Sequence, residues 1–278
     1  MATPASVVDS SALRSAAHDA PTSRSGGDDG GGMSILVAFG GGVNSTAMLI
    51  GLIERGIYPS WILFSDTGGE KPETYSHIEV VDHWLKGRGW YGITRLHKNS
   101  MYESLEDECL RRNTLPSLAF GWRSCSDKWK QEPQRKFMNH DTAARKYWEA
   151  GQKITKAIGF GADELRRAKP YEDEKYRNWY PLVDWGWDRT ECVKAIERAG
   201  LDVPPKSACF YCPASTKQDV KVLAESNPEL LQRAIAMEEN ARGLVKIKGL
   251  GRHWSWKDLT NAPEEHCIEQ TCMCFDGE

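Results

Sequence analysis

Three consecutive glycines, Gly40, Gly41 and Gly42, constrain the possible fold of this chain more than any other feature. They lie between a predicted strand and a predicted helix. The apolar run at residues 35–39 predicts a buried strand, and the apolar periodicity of residues 45–55 predicts a helix. Such a turn presents backbone N–H groups and the positive end of a helix to an anion. The stretch is neither a Walker A loop nor a dinucleotide fingerprint. Taken alone, it leaves open both a phosphate cradle and a plain strand–helix turn.

The composition is that of an ordinary globular protein and excludes few functions. The chain has 278 residues, 40% of them hydrophobic and 27% charged, with a net charge of −3. A slightly negative net charge does not indicate a nucleic-acid partner. No apolar stretch approaches the roughly 18 residues of a membrane span. Residues 1–32 are rich in Ala, Ser, Gly and Asp and have no apolar signal core, so we expect a disordered tail on a cytoplasmic protein.

Strand and helix patterns alternate along the chain. Further strands are predicted near residues 61–64, 93–96 and 153–159, and helices near residues 72–86, 101–112, 133–150, 188–199, 216–225 and 228–242. Residues 170–180 read as a charged, aromatic loop. This order predicts a parallel sheet with helices on both faces over residues 33–200, followed by a mostly helical part over residues 201–278.

Four stretches in order resemble motifs of one family. Gly40 to Ser45 resembles the PP-loop Ser-Gly-Gly-x-Asp-Ser, with Gly40 in place of the first Ser and Asn44 in place of the Asp. The run from Phe64 to Gly68 resembles a strand end that contacts adenosine. The other two stretches, Gly161-Ala-Asp-Glu with Arg166 and Tyr180-Pro-Leu-Val-Asp-Trp, are similar to regions of phosphoadenosine-phosphosulfate (PAPS) reductases.

The chain therefore resembles PAPS reductase-like proteins of bacteria and phages, in the PP-loop adenine-nucleotide α-hydrolase superfamily. The resemblance implies a Rossmann-like, five-stranded parallel sheet that binds an adenine nucleotide, with Mg²⁺ as a further candidate. It implies catalytic roles for Cys125, Asp163 and Arg166. The implied nucleotide-binding residues are Phe39, Gly40, Gly41, Gly42, Asn44, Ser45, Thr46, Ser65, Asp66, Thr67, Gly161, Arg123 and Lys128.

Eight cysteines suggest metal or redox chemistry. Cys209-x-x-Cys212 is a metal-type knuckle, and Cys125 and Cys192 are the best candidates for a third and fourth ligand. Four thiolates suit a [4Fe–4S] cluster or a structural zinc, and the resemblance favours the cluster. Buried apolar thiols are the alternative. A second group near the C-terminus is read as a redox tail, a packing tail or a second metal site: Cys267, Cys272 and Cys274.

Three functions remain open on the sequence. The first is reduction or transfer of sulfur from PAPS, helped by a thiol, redox or sulfur-donor protein. The second is an ATP pyrophosphatase that adenylates a nucleic acid or a metabolite before sulfur insertion, with residues 121–136 as the nucleic-acid contact. The third is a non-catalytic nucleotide- or metal-binding module. A membrane partner is not expected, and a homodimer stays open.

Overall fold

The computed structural model describes residues 34–261, and these fall within one compact unit. The predictions for residues 1–33 and 262–278, including the disordered tail and the three C-terminal cysteines, fall outside the described residues. The strands are β1 Ile35–Ala38, β2 Trp61–Asp66, β3 Thr94–His97, β4 Ile154–Ile158 and β5 Tyr176–Trp179. The helices are α1 Val43–Glu54, α2 Pro72–Lys86, α3 Leu105–Arg111, α4 Ser124–Ser126, α5 Glu132–His140, α6 Thr142–Glu149, α7 Pro181–Asp184, α8 Arg189–Arg198, α9 Lys217–Ser226, α10 Pro228–Ala241 and α11 Trp256–Asn261.

The five strands form one all-parallel sheet in the order β3-β2-β1-β4-β5. Val37 at the centre pairs with Ile62 on one side and Ala157 on the other. The predicted α/β, Rossmann-like sheet with helices on both faces is therefore confirmed. Among residues 34–261, no helix combines the length and apolar character needed to cross a membrane.

Alternating side chains of β1 supply two different cores. Ile35 and Val37 pack with α1, α2 and α8 on one face of the sheet. Leu36 points the other way and packs with Met138 of α5 and Ala144 of α6. Because a strand turns successive side chains to opposite faces, this apolar run is buried on both sides, as a central parallel strand requires.

A third core joins the C-terminal helices to an earlier part of the chain. Leu105 of α3 and Trp129 lie in the same buried cluster as Val220 of α9 and Leu231 of α10. Trp129 belongs to a π-helical turn, Asp127–Gln131, between α4 and α5. The helices after residue 217 are therefore held by burial against residues 105–129.

The short helices α4, α7 and α11 were not predicted, and two further elements differ from the sequence-based expectation. The expected helix over residues 133–150 is broken at Asp141, whose side chain accepts a hydrogen bond from the Ala144 N–H at 2.8 Å and so caps a new helix, α6. The stretch at residues 170–180, read as a loop, contains β5. This edge strand pairs only with β4, so it needs no continuous apolar run.

Candidate functional site

The glycine loop lies at the point where the sheet reverses its strand order. β1 occupies the centre, β2 follows on one side, and β4 lies on the other. The loop connects β1 to α1, and Gly42 directly precedes that helix. Open α/β sheets bind ligands in the crevice beyond the carboxyl ends of the strands at such a reversal. The loop thus occupies the position in this fold that is best suited to an anionic ligand.

The loop holds a defined shape through its own hydrogen bonds. Gly41 has a φ of +69°, the left-handed region that favours glycine. The Ser45 hydroxyl donates to the Gly42 carbonyl at 3.0 Å and accepts from the Gly42 N–H at 3.2 Å. Gly40 is exposed, and a Cβ added there would lie 3.8 Å from the nearest atom, Ser45 Oγ. The surface above Gly40 is therefore open to a ligand.

Asn44 joins the glycine loop to the loop after β4. Its amide Nδ2 donates to Glu164 Oε2 at 2.9 Å, and the Gly161 N–H donates to the same oxygen at 3.4 Å. Glu164 also pairs with Arg167. The Asn44 Oδ1 is buried without a hydrogen-bond partner among the described residues. Since buried polar atoms are normally satisfied, this oxygen is an acceptor that a ligand N–H or O–H can fill.

Three of the predicted nucleotide-binding side chains point into the protein instead. Phe39 is 3% exposed and belongs to the main core. Thr46 is fully buried, and its hydroxyl is 2.9 Å from His77 Nε2. The Ser65 hydroxyl donates to the Lys130 carbonyl at 2.7 Å. These contacts give the three side chains structural roles, and nucleotide contacts through their backbone stay a prediction.

Asp66 and Thr67 follow β2 and organise the turn after it. Asp66 Oδ1 accepts from the Gly68 N–H and from the Tyr75 hydroxyl, both at 2.7 Å. Burial, together with this hydrogen bond to the carboxylate, raises the pKa of Tyr75. Thr67 Oγ1 lies 3.1 Å from Cys209 Sγ. The polar end of β2 thus reaches the cysteine knuckle.

An ion pair between the buried Glu70 and the partly exposed Lys130 lies beside the knuckle. The Glu70 side chain is fully buried, its Oε1 accepts from Lys130 Nζ at 2.9 Å, and the same oxygen lies 4.0 Å from Cys209 Sγ. Burial opposes the Lys130 charge, but the Glu70 carboxylate outweighs it and raises the pKa of Lys130. Burial and the same carboxylate raise the pKa of Cys209 to about 12. In the metal-free protein Cys209 is therefore a thiol at neutral pH.

The knuckle cysteines have two cysteine neighbours, and one of them was not expected. The Cys212 N–H donates to the Cys209 carbonyl at 2.9 Å, which places both on one turn. Cys109 belongs to the third core, and Cys125 and Cys209 pack against the same core. Cys109 was not predicted because a single Cys on a helix resembles an ordinary core residue.

Cys192 does not join this group. It is fully buried in the core where α8 packs with α1. Burial raises its pKa to about 12, and the nearby charged groups that modify it include Asp163 and Arg189 but no cysteine. The Cys192 thiol packs in the core of the sheet, and this position does not favour its predicted role as a fourth ligand.

Within residues 34–261, Cys109, Cys125, Cys209 and Cys212 have the right chemistry for a thiolate-bound metal. In residues 34–261, no group of three or more His, Cys, Asp and Glu side chains is arranged to hold a metal ion. Cys109 and Cys125 line a cavity of about 190 Å³, together with Lys128, Trp129 and Phe120. Soft thiolates suit iron–sulfur clusters or zinc.

The other predicted residues lie at separate positions. Asp163 and Arg166 are exposed on the short helical turn Ala162–Arg167 after β4, beside the glycine loop rather than beside Cys125. Arg123 is exposed just before α4, whereas Lys128 lines the cysteine cavity. The structure therefore divides the predicted residues between a glycine-loop site and a cysteine site.

Glu164 and Glu70 are functional candidates that the sequence analysis did not single out. Glu164 meets Asn44 across 120 residues of sequence, and Glu70 meets Lys130 across 60. No local spacing signals contacts of this kind. A weak signal existed for Glu164, because it stands in the Gly-Ala-Asp-Glu stretch that resembles the reductases.

Comparison with known proteins adds a distant relative and no family. No family model matches the chain. A protein of Methanocaldococcus jannaschii described as uncharacterized is 26% identical over 244 residues, which cover 81% of this chain and 45% of that protein. The chain thus spans less than half the length of this relative.

Proposed function

We propose that the chain is a PP-loop protein that binds an adenine nucleotide, PAPS or ATP, and acts in sulfur chemistry as a reductase or a transferase. The observation that carries the proposal is the position of the glycine loop at the strand-order reversal of a five-stranded parallel sheet. A helix N-terminus with backbone N–H groups stabilises phosphoryl or sulfonyl charge without needing side chains. The exposed surface at Gly40 leaves room for that group.

Side chains around the loop supply the polar contacts in this proposal. The free Asn44 Oδ1 accepts a hydrogen bond from the ligand. Arg166 is exposed on the neighbouring turn and makes no ion pair with another residue in 34–261, so its guanidinium is free to bind phosphate or sulfate oxygens. Phe160 stacks on Tyr180 at 5.7 Å between ring centroids in the same region. The Arg167 guanidinium also lies 4.3 Å from the Phe160 ring centroid, so in this proposal a base stacks on Tyr180 rather than on Phe160.

The cofactor in this proposal is a [4Fe–4S] cluster, with zinc as the alternative. The ligands would be Cys125, Cys209, Cys212 and, in place of Cys192, Cys109. Such a cluster would supply electron transfer at the cysteine site. Mg²⁺ with the nucleotide phosphates remains part of the proposal for ATP.

Product analysis tests the reaction and separates the alternatives. Purified protein is incubated anaerobically with PAPS plus a thiol reductant, and in parallel with labelled ATP. We expect sulfite from PAPS or pyrophosphate from ATP, and each product identifies one reaction class. Tight nucleotide binding without either product would assign a non-catalytic binding module. Absence of both binding and turnover would contradict the proposal.

A further inference from the structure

A basic groove on the C-terminal part of the protein carries an inference that is independent of the glycine loop. Its cavity has a volume of about 550 Å³, and no acidic side chain lines it. The lining combines two short chain segments, residues 119–120 and 246–253. The side chains are Ala119, Phe120, Lys246, Ile247, Lys248, Arg252 and His253. The whole chain has a net charge of −3, so the positive charge of this groove is opposite in sign to that of the protein as a whole.

The cations of the groove are not neutralised within the described protein. Lys246, Lys248 and Arg252 are exposed, and none of them takes part in a salt bridge with another residue in 34–261. The same holds for Arg123 and Lys128 on the adjoining segment. Lys257, further along the chain, is by contrast paired with Glu239. A row of unpaired cations attracts a polyanion.

Aromatic side chains lie next to these cations. Phe120 lines the groove, and Trp122 is 71% exposed two residues further on. The Arg252 guanidinium lies against Gly121, where an added Cβ would come within 2.5 Å of Nη2. Basic side chains along a groove together with aromatic surfaces are the combination that binds single-stranded nucleic acid, since phosphates meet the cations and bases stack on the rings.

The groove is held in shape by a buried carboxylate. Glu238 of α10 is 7% exposed and accepts hydrogen bonds from the Leu250, Trp256 and Lys257 N–H groups and from the Ser255 hydroxyl. These four bonds hold the chain on both sides of Arg252, whose φ is +65°. A non-glycine residue in this conformation is costly and persists only when its surroundings fix it.

We propose that the groove formed by residues 119–123 and 246–253 binds single-stranded nucleic acid, with Lys246, Lys248 and Arg252 on phosphates and Trp122 stacked on a base. Phe120 lines both this groove and the cavity that contains Cys109 and Cys125. A bound strand would therefore pass beside the cysteine site.

Fluorescence anisotropy with the full chain tests this assignment, using a labelled oligouridylate of about 15 nucleotides between about 50 and 200 mM salt. Lys246→Gln/Lys248→Gln should weaken binding at low salt by about tenfold and reduce the salt slope by about 1.4. Trp122→Ala should weaken binding by about fivefold or more with an unchanged slope, because stacking carries no charge.

Lys146→Gln/Lys217→Gln is the matched control, since it removes two exposed lysines from other surfaces, and it should bind like the unsubstituted protein. The changed groove residues are exposed, so their variants should fold. An equal loss in the control, or no binding by the unsubstituted protein at low salt, would overturn the assignment. Binding to phosphatidylserine vesicles without binding to the oligonucleotide would also overturn it, in favour of a membrane surface.

Discussion

Asn44 is the side chain through which the glycine loop contacts the loop after β4. Its amide group donates to Glu164, which leaves its own carbonyl oxygen buried and without a partner among the described residues. An amide can donate to a carboxylate, whereas a second carboxylate cannot unless it is protonated. The resembled motif usually has an Asp at this position. In this chain Asn44 can donate a hydrogen bond to Glu164, which an ionised Asp could not do.

Asn44→Asp should lower the free energy of unfolding by about 1–3 kcal/mol at pH 7.5, because it places two carboxylates where a hydrogen bond stood. The loss should shrink as the pH falls towards about 4.5, where one carboxyl group binds a proton. Denaturant unfolding at both pH values measures this loss in the free energy of unfolding. The exchange Asn44→Asp/Glu164→Gln is the control, since it restores one amide–carboxylate pair. An exchange variant no more stable than Asn44→Asp would argue against the contact.

The two buried cysteines outside the knuckle should behave differently towards metal. We expect anaerobically purified protein to absorb near ~400 nm, as thiolate clusters do, and Cys209→Ser to remove the bound metal. Cys109→Ser should also lower the metal content, whereas Cys192→Ser should retain it because Cys192 lies in the α1–α8 core. Metal analysis of the folded variants is the readout. A protein that loses metal with Cys192→Ser but not with Cys109→Ser would reverse the assignment.

At the level of elements, α1 and α2 are tied by one buried polar contact. Thr46 of α1 meets His77 of α2 at 2.9 Å. Burial lowers the pKa of His77 against an opposing effect of the Asp202 carboxylate. A histidine with a lowered pKa in the folded state binds fewer protons there than in the unfolded chain. Its contribution to stability is complete above the unfolded pKa of about 6.5 and is lost as the pH falls.

We therefore expect the free energy of unfolding to decrease between about pH 7 and pH 5, and to decrease less steeply in His77→Gln. Chemical denaturation at several pH values gives both slopes. His140→Gln, which changes an exposed histidine in the last turn of α5, is the matched control. Identical slopes for His77→Gln and the unsubstituted protein would show that His77 does not contribute.

The α10–α11 connection depends on Glu238. Glu238→Gln replaces one of the two acceptor oxygens by an amide donor, so two of the four groups that donate to Glu238 lose their acceptor. The substitution should lower the free energy of unfolding by about 3 kcal/mol. Glu239→Gln changes the next residue, which is exposed and paired with Lys257, and should lower the free energy of unfolding far less, because exposed ion pairs contribute little to stability. Thermal and denaturant unfolding measure both. Equal costs for the two variants would contradict the role given to Glu238.

The helices and central strands were predictable because their periodicity is local. The apolar run before Gly40 and the Pro72 helix start gave β1 and α2 close to their observed bounds. β5 was missed, since Tyr176–Trp179 is a polar and aromatic edge strand that only the neighbouring β4 specifies. Contacts between distant parts of the chain, such as Glu70 with Lys130, have no local pattern at all.

At the scale of the whole molecule, three chemically different regions share one fold. The glycine loop lies at the strand-order reversal, the cysteine group lies where residues 105–129 meet the C-terminal helices, and the basic groove adjoins that group through Phe120. The Thr67–Cys209 contact links the sheet end to the cysteine knuckle.

Nucleotide binding at the glycine loop is the central claim, and Gly40 offers its most direct test. Gly40 is exposed and has space for a side chain, so Gly40→Ala and Gly40→Leu should both fold. Isothermal titration with ATP and with PAPS should show binding to the unsubstituted protein and to Gly40→Ala. Gly40→Leu should bind at least tenfold more weakly, ~1.4 kcal/mol or more, because its side chain fills the phosphate position. Equal affinity of the Leu variant, or no binding of either nucleotide by the unsubstituted protein, would contradict the claim.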